Sequence, residues 1–315
     1  MASLLKLLQN EWMKLWSKKG TWIMAGLMVI LILGLAGIMK WSESLAGDEP
    51  DNWKAAVQGE LEGDKASLES GLLKGESKRL AEERVMVNDY RLANDTAPLQ
   101  DISREMMIYD PSVGSIALLL TVIVAAGIVA SEFSQGTIKM LLTRPVKRWK
   151  IMTSKYIAVL LFGILLMLIG FAVTILSAYV LFSPGGGQAL AVSGGKVVEV
   201  SVWSHGLYML LLSFANVIIT ATFAFMIGSV FRSNGMAIGL SLFIYFTGSI
   251  VVALLSRFEI VKYLLFTHMD LTMYETDFRL NDDITLPFSL AVLAVYLVIF
   301  LIVSYSVFTK RDITA

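Results

Sequence analysis

The chain has 315 residues, of which 56% are hydrophobic and 17% are charged. Soluble domains are usually about 45 to 50% apolar, so this composition excludes an ordinary water-soluble globule and predicts an integral membrane protein. Lys plus Arg and Asp plus Glu both number 26, so overall charge gives no support for a nucleic-acid binder. The absence of cysteine excludes disulfides, thiolate zinc sites and cysteine nucleophiles.

An amphipathic segment comes first in the chain. Within residues 1–20, Leu8, Trp12 and Trp16 recur at helical spacing on one arc, with lysines on the opposite side. Tryptophans combined with lysines favour the headgroup layer, so we predict an interfacial helix that lies along the inner membrane surface and contacts lipid. The polar residues 18–20 predict a bend before the first span.

Six later stretches lack Asp, Glu, Lys, Arg and His, and each approaches or exceeds the length needed to cross a hydrocarbon core of ~30 Å. They predict an all-α polytopic membrane protein with both termini on one side. The predicted spans are residues 21–39, 112–130, 156–182, 207–231, 237–255 and 286–307.

The distribution of charge predicts the orientation. The side that holds both termini, including the tail 308–315, carries thirteen basic and three acidic residues, whereas the opposite side carries thirteen basic and 23 acidic residues. Basic residues in short loops favour the cytoplasmic side, so both termini are predicted to be cytoplasmic in a multi-pass protein of the cell membrane.

Three segments are therefore predicted to lie outside the cell. Residues 40–111 favour helices and contain turn-forming residues, which predicts a helical extracellular insertion shaped as a hairpin. The glycine-rich residues 183–206 predict a flexible loop, with a short β-hairpin around residues 196–202 as one option. Residues 256–285 fit either a half-buried outer helix or a helix that dips partway into the membrane.

The chain shows few signs of chemistry of its own. The six predicted spans contain no Asp, Glu, Lys, Arg or His, which disfavours proton transport. The sequence Gly194-Gly195-Lys196 lacks the earlier glycine and the following Ser or Thr of a phosphate-binding loop. His205 and His268 are interpreted as satisfied surface histidines rather than metal ligands. We therefore expect no catalytic residue, no metal and no cofactor in this chain.

The inner loop at residues 131–155 carries the strongest positive signal. It holds six basic residues and one acid, Glu132, and Pro145 predicts that a short cytoplasmic helix ends at Arg144. An ordinary positive-inside loop would explain the bases, but not the pattern Glu132-x-x-x-Gly136-Thr137-x-x-x-Leu141-x-x-x-Pro145.

This pattern resembles the membrane subunits of type-2 ATP-binding-cassette (ABC) exporters, a bacterial permease family. In that family the stretch follows the second span and contacts the ATPase. The N-terminal Glu11-Trp12-Met13-Lys14-Leu15, the six spans and the basic C-terminus extend the resemblance over nearly the whole chain, whereas the long outer insertion departs from it. The ATPase-coupling residues that the resemblance implies are Glu132, Gly136, Thr137, Leu141, Arg144 and Pro145.

The resemblance implies an exporter built from two permease subunits, identical or related, and two cytoplasmic ABC ATPase subunits that bind ATP and Mg²⁺. The cargo would be an antibiotic, a peptide or a lipid. Gly235-x-x-x-Gly239 is one candidate for close helix contact. Two other functions stay open: a non-transporting membrane sensor whose outer hairpin detects a ligand, and a passive channel, which the lack of a charged ring in any span disfavours.

Overall fold

The computed structural model describes residues 4–46, 52–111, 114–137, 146–231, 233–275 and 284–310. The described chain is mainly helical and contains one two-stranded antiparallel sheet. Its α-helices are α1 (Leu4–Trp16), α2 (Lys19–Ala46), α3 (Trp53–Glu69), α4 (Gly75–Asn94), α5 (Arg104–Tyr109), α6 (Gly114–Ser134), α7 (Arg148–Leu181), α8 (Val202–Val230), α9 (Asn234–Leu255) and α10 (Leu286–Lys310).

Six of these helices, α2 and α6 to α10, are long and apolar enough to cross a membrane. This confirms the predicted helical membrane class and the predicted number of candidate spans. Several helices extend beyond the apolar runs that predicted them: α6 continues to Ser134 and α7 begins at Arg148. The helices therefore contain ionisable residues that the shorter predicted spans did not.

Helix α6 forms the centre of the bundle and packs most extensively on α8, with further contacts to α7 and α9. Small residues allow the close approach. Gly228 of α8 lies against the carbonyl group of Ala126, so a β-carbon there would collide with the α6 backbone. Gly163 of α7 similarly faces Thr121 of α6. Close backbone approach through small residues is typical of helix packing in membranes.

The outer helices α2, α9 and α10 bury only a small share of their side chains in this single chain. Gly235 and Gly239 lie on the exposed part of α9, and a β-carbon at either position would meet no atom within 4 Å. The predicted small-residue contact is therefore not made within the described part of the chain.

Helices α3 and α4 form an antiparallel hairpin in the predicted insertion. The Arg84 guanidinium donates two hydrogen bonds, of 2.9 and 2.7 Å, to Asp64 across the hairpin. The buried Arg91 connects α4 to the rest of the chain, because its guanidinium donates to the carbonyl groups of Ala97 at 2.9 Å and Gln188 at 3.0 Å.

A β-hairpin follows α7 and consists of β1 (Leu190–Ser193) and β2 (Lys196–Glu199). The turn uses Gly194 and Gly195, whose φ angles of 58° and 74° favour glycine. The hairpin therefore lies earlier in the chain than residues 196–202, because this glycine pair is its turn rather than part of the preceding loop.

The segment after α9 forms short 3-10 turns at Glu259–Tyr263, Leu265–Thr267 and Leu271–Tyr274, rather than one outer or re-entrant helix. His268 is fully buried there and bonds to Ser289 Oγ and the Lys262 carbonyl, so the interpretation as a surface histidine is wrong although its ring is satisfied. Burial lowers the pKa of His268, and the Lys262 carbonyl opposes this shift.

His205 is also only partly exposed. Its ring stacks on Tyr109 with a centroid separation of 3.7 Å, and its Nε2 lies 3.3 Å from Glu275 Oε2. The two histidines are thus placed by separate local contacts.

Candidate functional site

Four charged side chains from three helices meet where α6 ends and α7 begins. Lys155 of α7 is only 1% exposed, and its ammonium donates to Glu11 Oε2 at 2.8 Å and to Glu132 Oε1 at 3.0 Å. Lys14 of α1 also donates to the Glu132 carboxylate. We refer to Glu11, Lys14, Glu132 and Lys155 as the charge cluster. Its two carboxylates and two ammonium groups balance.

The local sequence explains how these groups converge. Glu11 and Lys14 are three residues apart on α1 and therefore share one face of that helix. Glu132 lies in the last turn of α6, and Lys155 lies two turns into α7. Apolar packing holds α1 in place, since Leu15 is buried.

The electrostatics of the cluster favour a positioning role. Removing charges from water costs several kcal/mol per ion, and well-placed partners offset this cost without a large surplus. Because Lys155 reaches one carboxylate on α1 and another on α6, the three helices can satisfy these charges only in one mutual arrangement. The cluster therefore specifies how α1, α6 and α7 pack.

The turn after α6 is connected to the same cluster. The Thr137 hydroxyl donates to the Glu132 carboxylate. Gly136 adopts a φ of 70°, which ends the helix in the conformation that glycine favours, and its amide donates to the Phe133 carbonyl at 3.2 Å. Gly136 is exposed, and a β-carbon there would meet no atom of the described residues within 4 Å.

The structure thus brings Glu132 and Thr137 together and leaves Gly136 accessible beside them. The other residues implied for ATPase coupling, Leu141, Arg144 and Pro145, lie outside the described residues, as does the end of the predicted cytoplasmic helix. The first and last parts of the predicted loop 131–155 belong to α6 and α7 instead.

Glu132 is only 2% exposed. A soluble partner cannot reach its carboxylate in this conformation, because Lys155, Lys14 and Thr137 surround it. The coupling role that the resemblance implies for Glu132 stays a prediction, and in this conformation its carboxylate contacts the turn after α6 through Thr137.

The apolar arc of α1 packs partly on protein. Leu8, Trp12 and Trp16 are partly buried against the hydrophobic core. The ring centroid of Trp16 lies 6.0 Å from that of Phe162 in α7, and the Trp22 indole donates to the Trp16 carbonyl at 2.9 Å. Three side chains predicted to contact lipid are therefore also used to dock α1 on the bundle.

Glu11, Lys14 and Lys155 are the functional candidates that sequence reasoning missed. Lys155 was counted among the bases of an exposed loop, and Glu11 was treated as one residue of an interfacial helix. A signal was present, since only three acids accompany thirteen bases on that side of the protein, and two of these acids form the cluster.

A further base lies close to the cluster. Burial lowers the pKa of Lys18, and the nearby Lys14 and Lys155 lower it further, while Glu132 and Glu11 act in the opposite direction.

No group of three or more His, Asp or Glu side chains in the described part of the chain is arranged to hold a metal ion. In the charge cluster, the two ammonium groups and the two carboxylates are engaged in ion pairs with one another.

Comparison with known proteins assigns the chain to a family. Residues 82–314 match the family described as protein of unknown function, DUF2705. The chain belongs to the DUF2705 family. The family match includes Glu132 and Lys155 but begins after α1, so Glu11 and Lys14 lie outside it.

The chain is also similar to two proteins from Bacillus subtilis (strain 168). The chain is 36% identical to the uncharacterized protein YhcI, over 98% of this chain and 99% of that protein. It is 30% identical to the uncharacterized membrane protein YdbK, over 65% of this chain and 81% of that protein. The name of YdbK as a membrane protein agrees with the six long apolar helices of this DUF2705 member.

Proposed function

We propose that this chain is the membrane permease subunit of an ABC exporter, which moves a substrate outward across the cytoplasmic membrane. ATP would be hydrolysed by a separate subunit. The observation that carries the proposal is the charge cluster, because it connects the turn that resembles an ATPase-coupling motif to α1 and α7. A displacement of that turn would be transmitted to two further helices through buried, charge-balanced contacts.

The proposal includes a topology. Both termini, the charge cluster and the loop between α6 and α7 face the cytoplasm, α1 lies at the inner membrane surface, and the α3–α4 hairpin and the β-hairpin are extracellular. The thirteen bases on the side of the termini support this orientation. The exposed Leu5 of α1 supports contact with lipid, because its side chain is 76% exposed.

The proposal also includes an assembly of two permease subunits, identical or related, and two ABC ATPases that carry ATP and Mg²⁺. The exposed apolar side chains of α2, α9 and α10 supply surface for lipid and for the second permease. Gly235 and Gly239 support helix contact in the dimer, since they are exposed and an added β-carbon would meet no described atom within 4 Å. No role for nucleic acid is included.

Co-purification provides the test. The tagged full-length chain is extracted in mild detergent, and the bound proteins are identified and assayed for ATP hydrolysis. We expect an ABC ATPase at about equal molar amounts, whose hydrolysis rate depends on the permease. The proposal fails if the chain purifies without an ATPase, or if reconstituted vesicles that contain only this chain accumulate solute uphill using an ion gradient.

A matched pair of variants locates the contact. Gly136→Trp places a bulky side chain on the exposed turn, and Gly71→Trp does the same in the turn between α3 and α4, where φ is 67° and space is equally open. Both variants carry the same backbone strain and bulk. We expect Gly136→Trp alone to lose the ATPase, and equal losses in both variants would contradict the assigned contact.

One observation favours the sensor as a second candidate function. The α3–α4 hairpin borders a cleft of ≈ 540 Å³, whose lining includes Trp53, Glu60 and Arg91. Pockets of this size bind small molecules. Deleting residues 53–94 distinguishes the two functions: a sensor loses its response, whereas an exporter retains an ATPase whose hydrolysis rate depends on the chain.

A further inference from the structure

A cavity of ≈ 550 Å³ lies at the opposite end of the bundle from the charge cluster. Helices α6, α8 and α9 form its walls, and the 3-10 turns after α9 form its rim. Its volume falls within the range of about 300 to 1,000 Å³ that is typical of small-molecule sites. The cavity is lined within one chain, so it does not require a second subunit.

The lining combines apolar and polar surface. Tyr245, Phe246 and Phe266 supply aromatic rings, and Ser213 and Asn216 of α8 supply a hydroxyl and an amide. Such a mixture suits an amphiphilic molecule, because the apolar part can replace water against the rings while a polar part remains hydrogen-bonded.

The charged lining residues are both acidic. Asp110 and Asp270 contribute to the cavity, and none of the described lining residues is Lys, Arg or His. Asp270 already accepts hydrogen bonds through one oxygen, Oδ1, from the Thr272 amide and hydroxyl. His205 does not line the cavity: its ring bonds to the Tyr109 carbonyl and lies near Glu275.

We propose that this cavity binds an amphiphilic organic cation. The two carboxylates attract positive charge, and the faces of the aromatic rings stabilise a cation that has shed part of its water. An anion of the same size would meet repulsion from both carboxylates. Aromatic walls beside acidic groups thus select for both apolar bulk and positive charge.

The test uses two probes of nearly equal size and apolar surface but opposite charge, tetraphenylphosphonium and tetraphenylborate. Equilibrium binding to the purified full-length chain in detergent is measured for each probe, with empty micelles subtracted. We expect saturable binding of about one tetraphenylphosphonium per chain and no saturable binding of tetraphenylborate. Absence of saturable cation binding, or equal binding of the borate, would overturn the proposal.

Variants then locate the site. Asp110→Asn and Asp270→Asn preserve shape and should each weaken cation binding by about tenfold, since a charge-assisted contact becomes a neutral one. Ser249→Trp should abolish binding because its side chain fills the cavity from α9. Glu259→Gln is the matched control: it removes the same charge from a nearby 3-10 turn, but Glu259 does not line the cavity.

The outcomes of the variants are distinct. If Glu259→Gln weakened cation binding as much as Asp270→Asn, the weakening would come from the general surface charge, and the proposal would be overturned. The proposal is also overturned if Ser249→Trp binds tetraphenylphosphonium with unchanged affinity while its melting temperature matches that of the unmodified chain. Binding is measured without ATPase or nucleotide, so its failure leaves the proposed exporter function intact, and loss of ATPase co-purification leaves the cavity assignment intact.

Discussion

Replacing Lys155 with methionine should destabilise the bundle strongly. The side chain is 1% exposed and its ammonium lies 2.8 Å from Glu11 and 3.0 Å from Glu132. Breaking a buried ion pair from one side costs about 3 to 5 kcal/mol, because the remaining charge stays buried without compensation. Glu132 would keep Lys14 and Thr137 as partners, whereas Glu11 has no other ion pair in the described chain. We therefore expect the lower end of this range, about 3 kcal/mol.

The assay compares variants by unfolding in one detergent, followed by tryptophan fluorescence. Lys155→Met combined with Glu11→Gln should recover a large part of the loss, because the second substitution removes the uncompensated charge. Lys150→Met is the matched control, since Lys150 lies on the same helix, forms no ion pair in the described chain and should change stability by no more than about 0.5 kcal/mol.

Two results would refute this reasoning. If Lys155→Met unfolded like Lys150→Met, the buried contacts would not hold the helices together. If the double variant with Glu11→Gln were less stable than Lys155→Met alone, the loss would come from packing rather than from an uncompensated carboxylate, because only the electrostatic explanation predicts recovery.

Three further predictions concern other parts of the molecule. Gly228→Ala should lower the free energy of unfolding by about 1 to 3 kcal/mol, because the added methyl group would collide with the Ala126 carbonyl. Gly239→Ala is the control and should leave the free energy of unfolding unchanged, because its methyl group enters open space among the described residues. Unfolding measurements compare the two variants. Burial lowers the folded-state pKa of His268 below its usual 6.5, so the neutral ring stabilises the fold above that pH and stability falls as the pH drops below it. Melting at pH 7.5 and 5.5 should show this loss, and His268→Gln should reduce the difference. Arg91→Met should release the α3–α4 hairpin from the loop before β1, so limited proteolysis should cut around residues 95–101 sooner while the melting of the bundle is unchanged; unchanged cleavage would contradict this anchoring role.

The apolar runs were sufficient to predict the number and approximate position of the long helices, because a membrane span needs a minimum length of uncharged residues. The same criterion misplaced their ends. Glu132 and Lys155 were assigned to a loop since an isolated charge is unfavourable inside a span, but the two residues compensate each other from helices separated by the loop itself. A pattern of single residues contains no information about such a pairing.

Periodicity also predicted α1 as an amphipathic helix but could not distinguish protein from lipid as the cover for its apolar face. Leu and Trp side chains can pack equally well against protein or lipid. The structure divides that face, because Leu15 is buried in the bundle whereas Leu5 is 76% exposed. The difference depends on where α7 lies relative to α1, and this is a tertiary property.

The buried position of Glu132 changes what the motif can do. If the carboxylate contacted a soluble partner, its charge would have to remain exposed, yet Lys155, Lys14 and Thr137 enclose it. An acid that is satisfied within the chain instead fixes the turn that contains Gly136. Because the same acid is joined to α1 through Lys155 and Glu11, a displacement of that turn would reach α1 and α7 together with α6. A single acid on a strongly basic side of the protein can in this way connect three helices that the sequence places far apart.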